Sequence, residues 1–147
     1  MKKAAVAFVL ATASVLAMAQ NTPAGLWRTI DDDGKTEKST VRITITNGVL
    51  TGKIEHITNP AKADEKCVKC DDDRKDKPIV GMVIITDVKQ VPDEPDLWDG
   101  GGLILDPAKG KTYRVRLKPI EGGKKLEVHG YIGSPMFGRT QTWIRAE

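Results

Sequence analysis

Only two cysteines and two histidines occur in this chain of 147 residues, and both shortages close routes to function. A structural zinc site needs about four ligands, and the second Cys-x-x-Cys arm that would normally supply half of them is absent. Neither His56 nor His129 has a serine or cysteine at a recognisable catalytic spacing, and no nucleophile elbow or metal-binding helix motif occurs, so the sequence nominates no enzyme and implies no cofactor. No amphipathic helix pattern is visible. Beyond residue 19 no apolar run is long enough to cross a bilayer, which takes about 20 residues, so no transmembrane anchor is expected.

What is present begins with a secretory signal. Lys2 and Lys3 precede an apolar run from Ala4 to Leu16, and Ala17-Met18-Ala19 supplies small residues where a signal peptidase reads. Residues 1–19 are therefore expected to be removed before Gln20, leaving residues 20–147 as one domain in the periplasm or outside the cell. No cysteine follows that position, which argues against a lipid anchor. Removing Lys2 and Lys3 also lowers the formal net charge from +3 to +1, so nothing in the charge favours nucleic acid as a partner.

The rest reads as short β-strands separated by turns. Val41, Ile43 and Ile45 alternate with polar residues, and Asn47-Gly48 is the pair that a type I′ hairpin turn prefers. Folding there opposes Ile45 to Leu50 and Val41 to Ile54, with the apolar positions of both strands on one side and Arg42 facing Lys53. A second hairpin folds at Gly122-Gly123. It opposes Leu117 to Val128, Val115 to Gly130 and Tyr113 to Ile132 on the apolar face. The other face pairs Lys118 with Glu127, Arg116 with His129 and Arg114 with Tyr131, which accounts for the basic row as a solvated face with an ion pair and a cation–π contact. Further strands are expected over residues 25–30, 81–89, 97–105 and 139–145. About eight strands with mostly short connections predict an all-β fold, an antiparallel up-and-down barrel whose closure removes exposed edges. The open alternative is a sandwich. Gly100-Gly101-Gly102 marks where such a barrel bends or brings backbones together.

Gly25-Leu26-Trp27 opens the first strand and Trp143-Ile144-Arg145 closes the last. Neighbouring first and last strands let Arg145 lay its guanidinium across the Trp27 indole and seal one end, with Gly25 beside them. This resembles the arrangement shared by lipocalins, which carry Gly-x-Trp on the first strand and a stacking arginine on the last. The similarity extends over Cys67-x-x-Cys70, Lys77-Pro78-Ile79-Val80-Gly81, Leu105-Asp106-Pro107, Gly110-Lys111-Thr112-Tyr113, Gly130-Tyr131-Ile132-Gly133 and Phe137-Gly138-Arg139-Thr140-Gln141-Thr142-Trp143. Together these stretches resemble a family of small secreted bacterial proteins, domain-of-unknown-function family 2147 (DUF2147). That resemblance implies a lipocalin-like barrel and brings no activity or catalytic residue with it.

Cys67 and Cys70 sit in the longest stretch without strand character, about residues 58–77. In an oxidising compartment the default is a local disulfide, which so short a loop makes worth about 2 kcal/mol of chain entropy. Redox activity is disfavoured, because Asp71, Asp72 and Asp73 oppose a thiolate. The metal alternative gathers Cys67, Cys70 and an inward-facing His56 around zinc. The acidic runs at residues 31–33 and 71–73 lack the alternating oxygen ligands of a calcium loop and read as solvated turns. For function, the architecture favours a non-enzymatic binder of a small hydrophobic or amphipathic ligand. Its candidate lining residues are Ile43, Leu50, Ile54, Tyr113 and Val115, with Met136 and Phe137 at the rim. The alternative is a filled barrel whose 67–77 loop contacts a protein partner of the cell envelope.

Overall fold

The computed structural model describes Ala5 and residues 21–147; the expected signal peptide over residues 1–19 lies outside the described residues apart from Ala5. Nine strands follow in order: β1 (Gly25–Ile30), β2 (Glu37–Thr46), β3 (Val49–Ile57), β4 (Val83–Val91), β5 (Glu94–Trp98), β6 (Leu103–Asp106), β7 (Lys111–Ile120), β8 (Lys125–Tyr131) and β9 (Arg139–Arg145). All pairings are antiparallel, and the ring closes because β1 pairs with β9 and β3 with β4. Strands β5 and β6 share one position, each lying between β4 and β7. The result is an eight-position barrel with one strand split in two.

The split has a steric cause. A Cβ on Gly102 would stand 2.4 Å from Val88 Cγ2, and one on Gly100 would stand 2.9 Å from Lys89 Cβ. The glycines let this wall pinch against β4, which breaks the strand expected over residues 97–105 into two.

The hairpin registers follow the period-two pattern. Ile45 opposes Leu50 and Val41 opposes Ile54 across the Asn47-Gly48 turn, where both residues take positive φ. Arg42 does face Lys53, and the like charges are offset because Arg42 Nε lies 2.9 Å from Glu55 Oε1. In the second hairpin Leu117 opposes Val128 and Val115 opposes Gly130. On its outer face Lys118 opposes Glu127, Arg116 opposes His129 and Arg114 opposes Tyr131 as expected, but the side chains make other contacts. Arg116 turns to Asp99, at 2.6 Å, and Tyr131 stacks on His129 with ring centroids 5.7 Å apart.

Above Val41 the first hairpin departs from simple alternation. Thr40 opposes His56 while Val41 opposes Ile54, so Glu55 is an extra residue in β3. Such a bulge reverses which side chains face inward beyond it. Ile57 consequently points into the barrel, and His56 is exposed rather than inward. Inward side chains of both hairpins join Trp27, Ile85, Val88 and Trp98 in a single core cluster.

Candidate functional site

The barrel is filled at one end and open at the other. At the filled end Trp27, Val41, Ile43, Leu50, Val115, Leu117 and Leu126 are all at most 1% exposed. The Arg145 guanidinium carbon lies 4.2 Å from the centre of the Trp27 ring. Its nitrogens donate to the carbonyls of Gly123 at 2.5 Å, Ala24 at 2.8 Å and Thr22 at 2.5 Å. The indole N–H of Trp27 donates to the Pro23 carbonyl at 2.8 Å, so this plug buries no orphan donor on either ring. Gly25 has φ +133°, and a Cβ there would lie 2.5 Å from Arg145 Nη1, so both the backbone angle and the space demand glycine. Burial pulls the Arg145 pKa below its ordinary value.

Toward the other end the inward side chains stop meeting, and a cavity of about 840 Å³ remains. Its walls are Ile54, Ile57, Ile84, Ile104, Val128 and Trp143, with Tyr113 among them. Polar groups on these walls are largely satisfied by one another. Trp143 Nε1 donates to Gln141 Oε1 at 3.1 Å, Gln141 Nε2 donates to Asp32 at 2.9 Å, and the hydroxyls of Thr29 and Ser39 are 2.8 Å apart.

Loops from four connections surround the opening. Asp31 pairs with Lys38 at 3.5 Å, Glu37 with Arg28 at 3.8 Å, and Arg139 lies between Asp32 at 2.9 Å and Asp106 at 3.9 Å. Arg139 thus links the β1–β2 turn to the β6–β7 turn. Ile132 and Phe137 of the β8–β9 loop edge the opening and are 71% and 68% exposed.

The segment between β3 and β4 supplies one side of this rim through Lys62, Glu65 and Ile79. Cys67 and Cys70 within it are bonded to each other and buried. Cys67 Sγ lies 3.5 Å from the Pro107 carbonyl oxygen, and Gly110 packs so closely under Lys69 that a Cβ there would stand 2.0 Å from its carbonyl oxygen. The disulfide therefore fixes the segment against the β6–β7 turn, beside the opening.

Of the candidate lining residues, Ile54, Tyr113 and Phe137 border the cavity. Ile43, Leu50 and Val115 do not. They belong to the filled end, where they are packed in one core cluster with Trp27 and are at most 1% exposed. Met136 points to solvent at 85% exposure and rims nothing, because the loop presents Phe137 to the opening instead. The zinc alternative at Cys67, Cys70 and His56 is not assembled. The sulfurs are committed to each other, the β3 bulge turns His56 outward, and no group of three or more potential ligands occurs among the described residues. The acidic turns serve their own loops: Asp33 accepts from the Lys35 and Thr36 amides, both at 2.8 Å, and Asp72 pairs with Arg74 at 2.6 Å. The Thr36 hydroxyl, which also donates to Asp33, holds that carboxyl below the usual range together with the two amides, and the Arg74 contact does the same for Asp72.

Sequence reasoning missed a polar network on the outer wall. Asp99, from the glycine-rich break between β5 and β6, accepts from the Tyr131 hydroxyl at 2.8 Å and from Arg116. Burial and this contact with Asp99 push the Tyr131 pKa up. Beside it, His129 Nε2 lies 2.8 Å from the Pro135 carbonyl oxygen and so carries the proton, while Nδ1 lies 2.7 Å from Thr140 Oγ1. The network pins the β8–β9 loop, and with it Phe137, beside the opening.

The same architecture is found in the solved structure of protein HP1028 from the human pathogen Helicobacter pylori, described as belonging to the lipocalin family. The two align with a TM-score of 0.71 at 24% sequence identity, over 84% of this chain and 82% of that one. At that identity the likeness concerns the fold alone, a lipocalin-like barrel. No curated protein sequence matches the chain. Residues 25–145, from the glycine under the arginine plug to the arginine itself, match the family described as uncharacterized protein conserved in bacteria, DUF2147, and the chain belongs to that family.

Proposed function

We propose that this protein is a non-enzymatic exported carrier that holds a small hydrophobic or amphipathic molecule in its barrel. The observation that carries the reading is the 840 Å³ cavity with aliphatic and indole walls, open at one end of a barrel sealed at the other. Pockets for small ligands fall in the range of about 300–1,000 Å³ and are mostly apolar with a few placed polar groups. Export is supported by the N-terminal sequence pattern and by the disulfide, which persists in oxidising compartments. The filled-barrel alternative is disfavoured by the empty volume, since a module acting only through its surface has no need of it.

The test is direct. Organic extraction of the purified protein should release a co-purifying apolar molecule, or a panel of amphiphiles should raise its melting temperature by several degrees. Saturation at about 100 times Kd stabilises a fold by about 2.7 kcal/mol. Finding neither an extractable molecule nor any thermal shift across the panel would sink the carrier reading.

A further inference from the structure

The most exposed large apolar side chains of this protein gather in one place. Among the described residues the three highest exposures belong to Met136, Ile132 and Phe137, all in the loop between β8 and β9. Single exposed apolar residues need no explanation, whereas a cluster marks a contact surface. Residues 130–138 include no charged side chain. The loop is held by polar contacts and close backbone packing rather than by burying these apolar groups. Phe137 N donates to the Ser134 carbonyl at 3.1 Å, Met136 N donates to Ser134 Oγ at 3.3 Å, and the Pro135 carbonyl accepts from His129 Nε2 at 2.8 Å. Gly138 seats the returning arm on β8, where a Cβ would stand 2.2 Å from the Gly130 carbonyl oxygen. The tip is thus fixed with Met136 and Phe137 exposed and their backbone donors already occupied.

A stable protein contact buries about 800 Å² on each partner, with about 20–30 residues a side. Three side chains supply far less, so neither a second copy nor a protein partner is what this loop fits. A bilayer makes no such demand. It has no fixed shape to match, and it accepts apolar side chains that bring no charge and whose backbone donors are satisfied. We infer that the β8–β9 loop is a membrane-docking tip, which inserts Ile132, Met136 and Phe137 at the boundary between head groups and acyl chains of a phospholipid bilayer. Insertion is shallow, because charged residues border the rest of the opening, Lys62, Glu65 and Lys109 among them, and these stay among head groups and water. Ile132 and Phe137 edge the opening, so docking brings it against the bilayer. On the carrier reading, an apolar ligand then passes between lipid and barrel without crossing water.

Co-sedimentation with phosphatidylcholine vesicles, and with vesicles that also contain phosphatidylglycerol, tests this. The chain from Gln20 is used, which holds every strand and excludes the apolar run of residues 4–16 as a source of binding. It should bind both kinds of vesicle with an affinity on the order of 10³–10⁴ M⁻¹, at or below that of a single myristoyl chain. Binding should persist in about 0.5 M NaCl, which screens attraction between charges. Met136→Asp and Phe137→Ser should each weaken it at least about ten-fold, while Met136→Leu stays within about two-fold of wild type. Met136→Asp should leave the melting temperature and the apolar-probe affinity in solution unchanged, since its side chain is exposed and borders no cavity wall. No sedimentation with either vesicle, loss of binding in salt, or binding unaltered by both Met136→Asp and Phe137→Ser would each overturn the proposal. So would a dimer in size-exclusion chromatography that Met136→Asp abolishes, which would assign the tip to a second copy. Each of these outcomes leaves the carrier reading in place, because extraction and thermal shift decide that reading separately.

Discussion

Replacing Arg145 by alanine is the sharpest test of how the barrel closes. The guanidinium lies over the Trp27 ring and donates to the backbone carbonyls of Gly123, Ala24 and Thr22. Hydrogen bonds from a charged donor are worth about 1.5–3 kcal/mol each, and the cation–π contact about 0.5–2 kcal/mol more. Against this stand the several kcal/mol needed to desolvate a guanidinium and up to about 2 kcal/mol of side-chain entropy. Burial drawing the Arg145 pKa down is the same desolvation seen from the proton's side. The balance leaves a net loss of about 3–4 kcal/mol for Arg145→Ala, since three carbonyls and one indole face lose their partner together. Arg145→Lys keeps the charge but reaches fewer carbonyls and cannot stack as a plane, so it should lose about 2 kcal/mol. Equilibrium unfolding in urea, read as a midpoint shift at constant slope, measures both. Apolar-probe affinity should stay within about two-fold of wild type, because additivity holds between separated sites and the plug lies at the opposite end from the cavity. Arg145→Ala costing less than about 1 kcal/mol would show that the plug does not close the barrel in the sense argued here.

Other expectations concern the cavity and its surroundings. Ile84→Trp should fill the cavity, cutting apolar-probe affinity more than about ten-fold in a fluorescence titration while the melting temperature holds or rises, because the added ring enters empty space. Cys67→Ala with Cys70→Ala should cost about 2 kcal/mol of chain entropy in urea unfolding. Probe affinity should fall with it, since the tied segment carries Glu65 and Ile79 at the rim; unchanged affinity would mean the segment holds its place without the bond. Tyr131 has a raised folded-state pKa, so its contribution to stability is complete below the unfolded value of about 10 and disappears as pH rises through the higher folded one. Stability measured against pH should therefore fall above about pH 10 in wild type, and Tyr131→Phe should flatten that decline. Asp33, Glu55 and Asp72 have lowered values, so what they contribute is present above the unfolded pKa and is lost as pH drops into the acid range.

Much of the fold was written locally. The alternation of Val41, Ile43 and Ile45 around Asn47-Gly48 sets the register of β2 against β3, because a side-chain period of two and a two-residue turn leave one pairing that buries both apolar sets. The pairing of β7 with β8 follows for the same reason, with Leu117 opposite Val128. Gly25, Trp27 and Arg145 at the two extremes of a strand-only chain also point to one another, since closure makes the first and last strands neighbours. The function of the interior was less legible. Ile43 and Ile54 have the same chemistry and the same inward parity, yet one is packed at the filled end and the other borders the cavity. Their difference is set by distance along the barrel axis from Trp27, which sequence spacing does not encode. Asp99 carried no signal because its partners, Arg116 and Tyr131, reach it only once the glycine break folds back onto β7 and β8.

By itself, then, the sequence determined most of the strands, the registers beside the two hairpin turns, the arginine plug and the closed barrel, which depend on neighbours a few residues apart or on the first and last strands meeting. Tertiary structure alone decided where the barrel is hollow and which way His56 faces. One extra residue in β3, Glu55, reverses the strand's parity without any change in hydrophobic content, and the volume left inside depends on how eight strands' side chains converge rather than on any of them alone.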